Sequence, residues 1–343
     1  MSMAANVNQK QAKVVVACCL HDYGKPERGL SFEYYNLFLP MKEVASNVIL
    51  FDFFGMTVKH GKEGMNRALI ELLKEERPDV AIFALFGDEF LLETLDDARK
   101  YTTTLAYFFD DVWRREFVAR MAPHFHHFTT PNWGMYRLYQ AAEVRGAIYS
   151  PFGYNGAIYA RRDVPLKYDV SFVGGCHPWR EYVVKRLKRA GIQVAVWGSF
   201  WPAGKLDQGK MVETFSASRI NLNISNAKQW DARYLLSSWR ALRNTLRTPK
   251  FRDGVKARHF EIPGSGGFQL SYYCEDLERH FQIGDEVAVY LDADELVEKV
   301  RFYLVHENER QRIADAGYAR ARTHTMEGRL LQLLEEVLLP KVT

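Results

Sequence analysis

Short apolar runs alternate with amphipathic stretches along the first half of the chain. Five runs have the length and the β-branched or aromatic content of buried strands. They are KVVVACCL (13–20), NVILFDFF (47–54), DVAIFALF (79–86), TTTLAYFF (102–109) and GAIYSPFG (146–153). Between the second and third runs, Met65, Leu69 and Leu72 repeat at helical spacing, and Pro78 ends that helix. The alternation of strands and helices predicts right-handed crossovers and a parallel, doubly wound sheet.

The same alternation begins again after a stretch (151–168) that contains proline and glycine and has no periodicity. The predicted strands are YDVSFVGG (168–175), IQVAVWG (192–198), SRINLNIS (218–225), GGFQLSYY (266–273) and DEVAVY (285–290). Helices are predicted at 180–191 and from Asp294 to the end of the chain. We therefore expect two Rossmann-like α/β domains, residues 1–160 and 161–324. In sheets of this kind ligands bind beyond the carboxyl ends of the strands, here in a cleft between the domains.

Composition narrows the function classes. The 343 residues are 47% apolar and carry a formal net charge of +4, so no overall charge favours nucleic acid as a partner. The four cysteines form no C-x-x-C pair, which favours a reducing compartment. Residues 1–16 lack the apolar core of a signal peptide, and no apolar run is long enough to cross a bilayer. We expect a cytoplasmic protein.

A double glycine follows the first strand of the second half. Gly174 and Gly175 precede a helix, so their backbone N–H groups are expected to face an anion at its N-terminus. Arg180, in the first turns of that helix, would reach the same anion. A tight turn from strand to helix accounts equally well for the two glycines.

The segment KARHFEIPGSGGFQL (256–270) concentrates cations, a carboxylate and glycines. Lys256 and Arg258 are suited to phosphate oxygens, and Glu261 to a vicinal diol such as that of ribose. Gly264, Gly266 and Gly267 would let the backbone approach a ligand where a Cβ would collide. Asp253 precedes Glu261 by eight positions, although two acids at this spacing are more often solvated helix residues.

Several of these segments resemble a known family. R-x-F-E (258–261) with the following glycines, YGKPERGLSFEYYN (23–36) and YFFDDVWRREF (107–117) are similar to GT-B glycosyltransferases, in particular the CgeB-like branch. The resemblance implies a GT-B fold with the two domains facing across a cleft. It also implies a C-terminal helix (325–343) that crosses back to the first domain.

The resemblance extends to retaining enzymes with an E-x7-E signature. It implies that Glu261 holds the nucleotide ribose and that Arg258, with Lys256, faces the diphosphate of a nucleotide-sugar donor. The first acid of the signature would contact the transferred sugar, and this chain has the shorter Asp253 there. Gly266 and Gly267 complete the donor site. No cofactor and no metal are implied, and the acceptor would be a glycan, a lipid-linked molecule or a protein.

The first half should then supply the acceptor side and the catalytic groups. Asp110 and Asp111 end the fourth predicted strand, where Asp110 is the candidate base. Asp111 would also fit as the cap of the next helix. His21 is the alternative base, and Asp22 and Arg28 lie in the same loop, although a single loop histidine is more often structural.

Two further clusters have ordinary explanations. His124, His126 and His127 are close in sequence but have no acidic or cysteine companion at metal-ligand spacing, so we expect no metal there. Arg240, Arg243 and Arg247 share a helical face, which would be a solvated surface or contact an anionic lipid, an anionic acceptor or the diphosphate.

The function expected from these features is glycosyl transfer from a nucleotide-diphosphate sugar to an acceptor hydroxyl, with retention, in surface-glycan or glycoconjugate synthesis. Two alternatives remain open. One is a nucleotide-sugar 2-epimerase built on the same two-domain plan. The other is a non-catalytic surface-layer or spore-coat protein that keeps the fold. The sequence identifies neither the nucleotide, the sugar nor the oligomeric state.

Overall fold

A computed structural model describes residues 12–338, and the chain divides into two compact units. The described part of unit 1 comprises residues 12–151 and 326–338, and unit 2 is Phe152–Thr325. Most of the segment that carries the signal-peptide prediction (1–16), and the last residues of the predicted C-terminal helix (339–343), lie outside the described residues. No helix within residues 12–338 is long and apolar enough to cross a membrane.

Unit 1 contains a six-stranded parallel sheet in the order β2-β1-β3-β4-β5-β6. Its strands are β1 (Lys13–Cys18), β2 (Asn47–Asp52), β3 (Val80–Phe83), β4 (Thr103–Ala106), β5 (His127–Thr130) and β6 (Ala147–Tyr149). Alternate residues of β1 enter two different cores: Val15 and Ala17 on one face of the sheet, Val14 and Val16 on the other. Both faces are therefore covered, which explains why the strand reads as a continuous apolar run.

The helices of unit 1 connect these strands. They are α1 (Leu39–Val44), α2 (Phe53–Glu76), α3 (Leu92–Ala98), α4 (Arg115–Met121) and α5 (Trp133–Ala141). Short 3-10 turns lie at Asp22–Gly24, Pro26–Arg28 and Ala122–His124, and a π turn at Tyr34–Phe38.

The structure corrects the sequence prediction at two places in unit 1. Strand β5 was not predicted, because HFTT contains a single large apolar residue. Helix α2 begins at Phe53, twelve residues before Met65, the first residue of the predicted helical face. It is interrupted at Gly61, whose φ is 69°. The aromatic residues of NVILFDFF were assigned to the strand, whereas only Asn47–Asp52 pairs in the sheet.

Unit 2 contains a five-stranded parallel sheet in the order β11-β10-β9-β7-β8. Its strands are β7 (Tyr168–Val173), β8 (Val194–Trp197), β9 (Ser218–Asn223), β10 (Gln269–Tyr272) and β11 (Ala288–Tyr290). All five coincide with predicted strands. The parallel sheets of the two units confirm the predicted α/β class.

The helices of unit 2 include three that lie between β9 and β10 in the chain. The set is α6 (Pro178–Arg189), α7 (Gln208–Ser216), α8 (Ala232–Ser237), α9 (Trp239–Arg247), α10 (Arg258–Gly264), α11 (Ala293–Val305) and α12 (Glu307–Ala321). A 3-10 turn lies at Leu277–Arg279. Helix α10 begins at Arg258, within the segment that concentrates cations and glycines. Gly264 is its last residue, and Gly266 and Gly267 follow it.

The last helix, α13 (Met326–Leu338), belongs to unit 1, where it packs on α1. Met326, Leu330, Leu333 and Leu334 are buried in the core that contains Val14 and Val16 of β1. The chain thus leaves unit 1 after Pro151 and returns to it at Met326.

Replacing Leu330 by Ala tests this contribution, since its side chain is fully buried. We expect Leu330→Ala to lower the free energy of unfolding by about 2–5 kcal/mol through lost burial and a residual cavity. Gln332, which is exposed on the same helix, gives the control. Gln332→Ala should change the free energy of unfolding by less than about 0.5 kcal/mol. Equal stability of the two variants in urea unfolding would contradict the placement of α13.

Candidate functional site

The N-terminus of α6 meets the carboxyl ends of β7 and β9 in unit 2. Arg180 joins them, because its Nε donates to the carbonyl of Ile224 (2.9 Å) and its Nη1 to the carbonyl of Gly175 (3.1 Å). The guanidinium also lies over the ring of Phe172. Arg180 therefore fixes the turn that precedes α6 against the end of β9.

The double glycine is held from the other side by the end of β8. The N–H of Gly174 donates to the carbonyl of Trp197 (2.8 Å), so it does not face an anion as expected. A Cβ on Gly175 would meet only the carbonyl oxygen of Ser199, at 3.9 Å, so this residue leaves space open. Gly198, which the sequence analysis passed over, has φ 137°, and a Cβ there would collide with the Gly174 carbonyl.

His177 occupies the position before the first turn of α6 and was also missed. Its ring is half-buried, and its Nδ1 has no hydrogen-bond partner among the residues that the structure describes. Burial, followed by the charges of Arg180, Lys250 and Arg240, lowers the pKa of His177 to about 4. Burial is the larger cause, and the three cations with the helix N-terminus add a positive potential to it. This is a place where an anion is stabilised.

Asp253 lies beside this positive region and is not a solvated helix residue. Its carboxylate accepts a hydrogen bond from the hydroxyl of Ser225. It also forms an ion pair with the ammonium group of Lys250 at 3.0 Å. Only 11% of its side chain is exposed. Lys250 also donates to Asn226. The pair of Lys250 and Asp253 places a cation and a carboxylate at the end of β9.

Glu261 and Arg258 lie one turn apart on α10 and form an ion pair of 2.7 Å. Glu261 is 3% exposed. Arg258 also contacts the sulfur of Met211 and lies over the ring of Phe215, so α7 fixes its guanidinium. The structure thus brings together the two residues to which the sequence analysis assigned ribose and diphosphate.

Tyr159 completes the surroundings of Glu261. Burial, with the neighbouring carboxylate of Glu261, raises the pKa of the Tyr159 phenol, so the hydroxyl stays protonated and donates. Tyr159 also contacts the side-chain oxygen of Gln208, at the first residue of α7 (3.3 Å). The sequence gave no signal for Tyr159, which lies in the aperiodic link between the two halves.

Arg180 connects the two parts of the candidate site electrostatically. Burial is the main cause that lowers its pKa, Asp253 raises it, and Arg258 lowers it. Both charges therefore act on the same guanidinium. Lys256, the remaining predicted cation, lies over the ring of Phe152 at 5.3 Å.

The glycines after Glu261 have a packing role. A Cβ on Gly264 would meet the ring of Tyr154, one on Gly266 the side chain of Arg161, and one on Gly267 the side chain of Asn221. The expectation that Gly264, Gly266 and Gly267 open space for a ligand is therefore not supported. They make room for side chains of unit 2.

The candidates of unit 1 lie in two loops. In the loop after β1, Asp22 pairs with Arg28 at 2.9 Å, and His21 forms a backbone bridge with Leu30. After β4, Asp111 is buried and accepts from the hydroxyl of Tyr139 (3.4 Å). Burial lowers the pKa of Arg114, and the charge of Asp110 acts in the opposite direction.

These positions bear on two alternative assignments for unit 1, the cap role of Asp111 and the cluster of histidines. Asp111 does not cap the following helix, because α4 begins at Arg115 and its cap position is Arg114. His124 contacts Asp96 and His126 contacts Thr104, so the clustered histidines serve different partners. Within residues 12–338, no group of three or more His, Cys, Asp or Glu side chains is arranged to hold a metal.

Sequence reasoning also missed a buried carboxyl in unit 1. Glu33 is 8% exposed and accepts from the thiol of Cys19, and burial raises its pKa. Ser31, between them in sequence, donates to the carbonyl of Cys19. This cluster lies at the carboxyl end of β1, close to the loop of His21.

Several solved structures resemble nearly the whole chain. HepE (Alr3699) of Anabaena in complex with UDP-glucose aligns with a TM-score of 0.65 at 11% identity, covering 96% of this chain and 99% of that one. A glycosyltransferase from Rickettsia africae aligns with a TM-score of 0.60 at 10% identity, covering 97% and 100%. The chain has the GT-B fold.

The GT-B similarity extends to a trehalose 6-phosphate synthase from Burkholderia multivorans (TM-score 0.54, 10% identity, 95% and 98% covered). Residues 180–335 match a family model described as glycosyl transferase-like. This match begins at Arg180 and includes Asp253, Arg258 and Glu261. A search of curated proteins found no relative that matches the sequence.

His259, between Arg258 and Phe260, gives a pH test of the folded site. Its ring is fully buried, its Nδ1 accepts from the backbone of Lys256 (2.9 Å), and burial lowers its pKa to about 4. The unfolded chain binds a proton near pH 6.5, so the folded state loses stability as the pH falls from 6.5 towards 4. The total loss from this group is about 3 kcal/mol.

We expect His259→Asn, which keeps an acceptor for Lys256, to reduce the fall in unfolding free energy between pH 7 and pH 4.5. The exposed His60 provides the control, and His60→Asn should leave the pH dependence unchanged. Urea unfolding at the two pH values measures both. An unchanged pH dependence in His259→Asn would show that this ring is not buried as a neutral group.

Proposed function

We propose that the protein is a glycosyltransferase that moves a sugar from a nucleotide-diphosphate donor to an acceptor hydroxyl. The observation that carries the proposal is the Arg258–Glu261 pair at 2.7 Å, next to the cationic N-terminus of α6. The glycosyl transferase-like match of residues 180–335 and the GT-B fold support the same function. The UDP-glucose complex of HepE supports a nucleotide sugar as the donor class.

The diphosphate would bind at the N-terminus of α6. There the helix dipole, Lys250 and the remaining N–H groups of Arg180 favour negative charge, and His177 has an unsatisfied ring nitrogen. Negative charge builds up on the diphosphate as the bond to the sugar breaks. Donors fixed in advance at that position lower the barrier, because they need no reorganisation during the reaction.

The ribose would bind to Glu261. A carboxylate accepts hydrogen bonds from both hydroxyls of a vicinal diol. Arg258 orients Glu261 through the ion pair, and its own remaining N–H groups would face the diphosphate. Asp253, fixed by Ser225 and Lys250, would contact the transferred sugar. A shorter side chain at this position places the sugar closer to the end of β9 than a glutamate would.

Unit 1 would bind the acceptor, with Asp110 and His21 as the candidate groups that act on the reacting hydroxyl and with Asp22, Arg28 and Asp111 beside them. Retention of configuration, reaction without a metal, membership of the CgeB-like branch and a role in surface-glycan synthesis are finer predictions. They rest on the sequence resemblance alone.

The donor site is tested by titrating the protein with nucleoside diphosphates and nucleotide sugars, starting with UDP and UDP-glucose. We expect Glu261→Gln to weaken binding about ten- to hundred-fold, since a charge-assisted hydrogen bond contributes about 1.5–3 kcal/mol. Glu307→Gln is the matched control, because Glu307 pairs with Arg310 at the same helical spacing on α12. Isothermal calorimetry measures both.

Absence of binding by every nucleotide tested would contradict the proposed function. Equal weakening by Glu261→Gln and Glu307→Gln would contradict the site. Incubation of the donor without acceptor separates transfer from epimerisation, because an epimerase would convert the donor sugar by itself.

Asp110→Asn tests the stereochemical prediction. A retaining enzyme needs no strong base on the acceptor side, so we expect measurable turnover with donor affinity unchanged. Complete loss of turnover with intact donor binding would instead identify an inverting enzyme with Asp110 as the base. Product anomers read by proton NMR give the configuration directly.

A further inference from the structure

Helices α8 and α9, with the residues that flank them, expose an unusual amount of apolar surface. Trp230, Leu236, Trp239, Leu246 and Phe251 are 68%, 87%, 75%, 63% and 71% exposed, respectively. All five lie within 22 consecutive positions of the chain. We call this set, with the cations among it, the hairpin surface. An exposed cluster of large apolar side chains on a water-soluble fold marks an interaction site.

The hairpin surface belongs to well-packed helices. Asp231 and Ser238 cap α8 and α9 through their side chains. Tyr234 is buried edge-on against Trp179 of α6. Ala241 and Thr245 are the buried residues of α9 and lie on its inner face. The outward direction of Trp239 and Leu246 is thus fixed by the packing of the opposite face.

The same stretch is strongly basic. Residues 228–252 contain seven cations (Lys228, Arg233, Arg240, Arg243, Arg247, Lys250 and Arg252) and one carboxylate, Asp231. The stretch therefore carries +6, in a chain whose formal total is +4. The remainder of the protein is slightly acidic, so the net positive charge of the chain lies in this stretch, although Lys250 is largely buried in its pair with Asp253.

Some of these cations are neutralised within the protein and others are not. Arg240 pairs with Glu181 at 2.8 Å, and Arg233 pairs with Asp294. Arg243 and Arg247 are exposed and have no acidic partner among the described residues. They lie on the outer face of α9 together with Trp239 and Leu246.

Lys228 shows how the apolar and basic parts combine. Its ammonium lies 4.5 Å from the centre of the Phe251 ring and 5.8 Å from that of Trp230. The two aromatic rings and the cation form one cluster at the base of the hairpin, because the N–H of Lys228 also donates to the carbonyl of Lys250 (2.8 Å).

We infer that the hairpin surface docks on a phospholipid bilayer that contains anionic lipids. Tryptophan, phenylalanine and leucine interleaved with arginine and lysine fit the boundary between headgroups and acyl chains, where the cations reach lipid phosphates. A soluble anion would be bound by the cations alone and would leave Leu236, Trp239 and Leu246 in water. The inference does not depend on the proposed function.

Co-sedimentation of the full chain with vesicles tests it. We expect binding to vesicles of phosphatidylcholine with about one third phosphatidylglycerol, and much weaker binding to phosphatidylcholine alone. Arg243→Glu/Arg247→Glu should reduce binding at least about ten-fold, since each cation near an anionic surface contributes about a factor of five. Trp239→Ala/Leu246→Ala should also reduce it about ten-fold by removing the inserted apolar groups.

The control has the same charge change elsewhere. Arg137 and Arg145 are exposed in unit 1, and Arg137→Glu/Arg145→Glu should bind anionic vesicles nearly as well as the unmodified protein. All variants are compared by thermal unfolding and by nucleotide affinity, so that misfolding is distinguished from loss of docking.

Three results would overturn the inference. One is equal binding to neutral and anionic vesicles, or binding to neither. Another is undiminished binding by Trp239→Ala/Leu246→Ala. That result would mean that the protein adsorbs to the anionic surface through its charges alone, without inserting apolar side chains. The third is complete displacement of the protein from vesicles by a soluble polyanion at equivalent charge, which would identify an anionic polymer as the partner.

Discussion

The candidate site depends on one buried ion pair. A carboxylate that is removed from water loses its hydration, and only a well-placed cation compensates for that loss. Arg258 supplies this charge to Glu261 from the same helix, and α7 holds the guanidinium through Phe215 and Met211. Loss of either member of such a pair costs about 3–5 kcal/mol, so the pair fixes α10 as well as a binding geometry. A ligand with hydroxyl donors can join the carboxylate without breaking the pair, because a carboxylate has several acceptor positions.

Unit 2 concentrates its functional surfaces on α6. At the N-terminus of this helix, burial and then the charges of nearby cations lower the pKa of His177. One turn further, Glu181 pairs with Arg240 of α9, and Trp179 packs against Tyr234 of α8. The helices that carry the exposed apolar and basic side chains are therefore attached to the helix that would hold the diphosphate. Docking on a surface and donor binding would then be mechanically connected through α6.

The fold was largely predictable because most strands of a parallel sheet covered on both faces are continuous apolar runs. All five strands of unit 2 and five of the six in unit 1 lie within predicted runs, although β7, β9 and β10 include polar residues. Strand β5 lies in none of them, since HFTT contains a single large apolar residue. The start of α2 was missed because Phe53 and Phe54 extend the apolar run of β2 beyond its last paired residue.

The site was predicted where residue type and sequence spacing suffice, and missed where it depends on tertiary contacts. Arg258 and Glu261 were found because they lie on one turn of one helix. Tyr159, His177 and Lys250 come from a link, a cap position and a loop. Only the folded chain brings Tyr159 to Glu261, and His177 and Lys250 to the N-terminus of α6. The glycines after Glu261 misled the prediction, because their need for space comes from Tyr154, Arg161 and Asn221 and not from a ligand.

The central claim is that one nucleotide occupies both the N-terminus of α6 and the Arg258–Glu261 pair. The most direct measurement is a crystal structure of the protein with bound UDP. The account predicts the diphosphate within hydrogen-bonding distance of Arg180 or Lys250, and a ribose hydroxyl within hydrogen-bonding distance of the Glu261 carboxylate. A nucleotide bound with its ribose remote from Glu261, or with its phosphates remote from α6, would contradict the account.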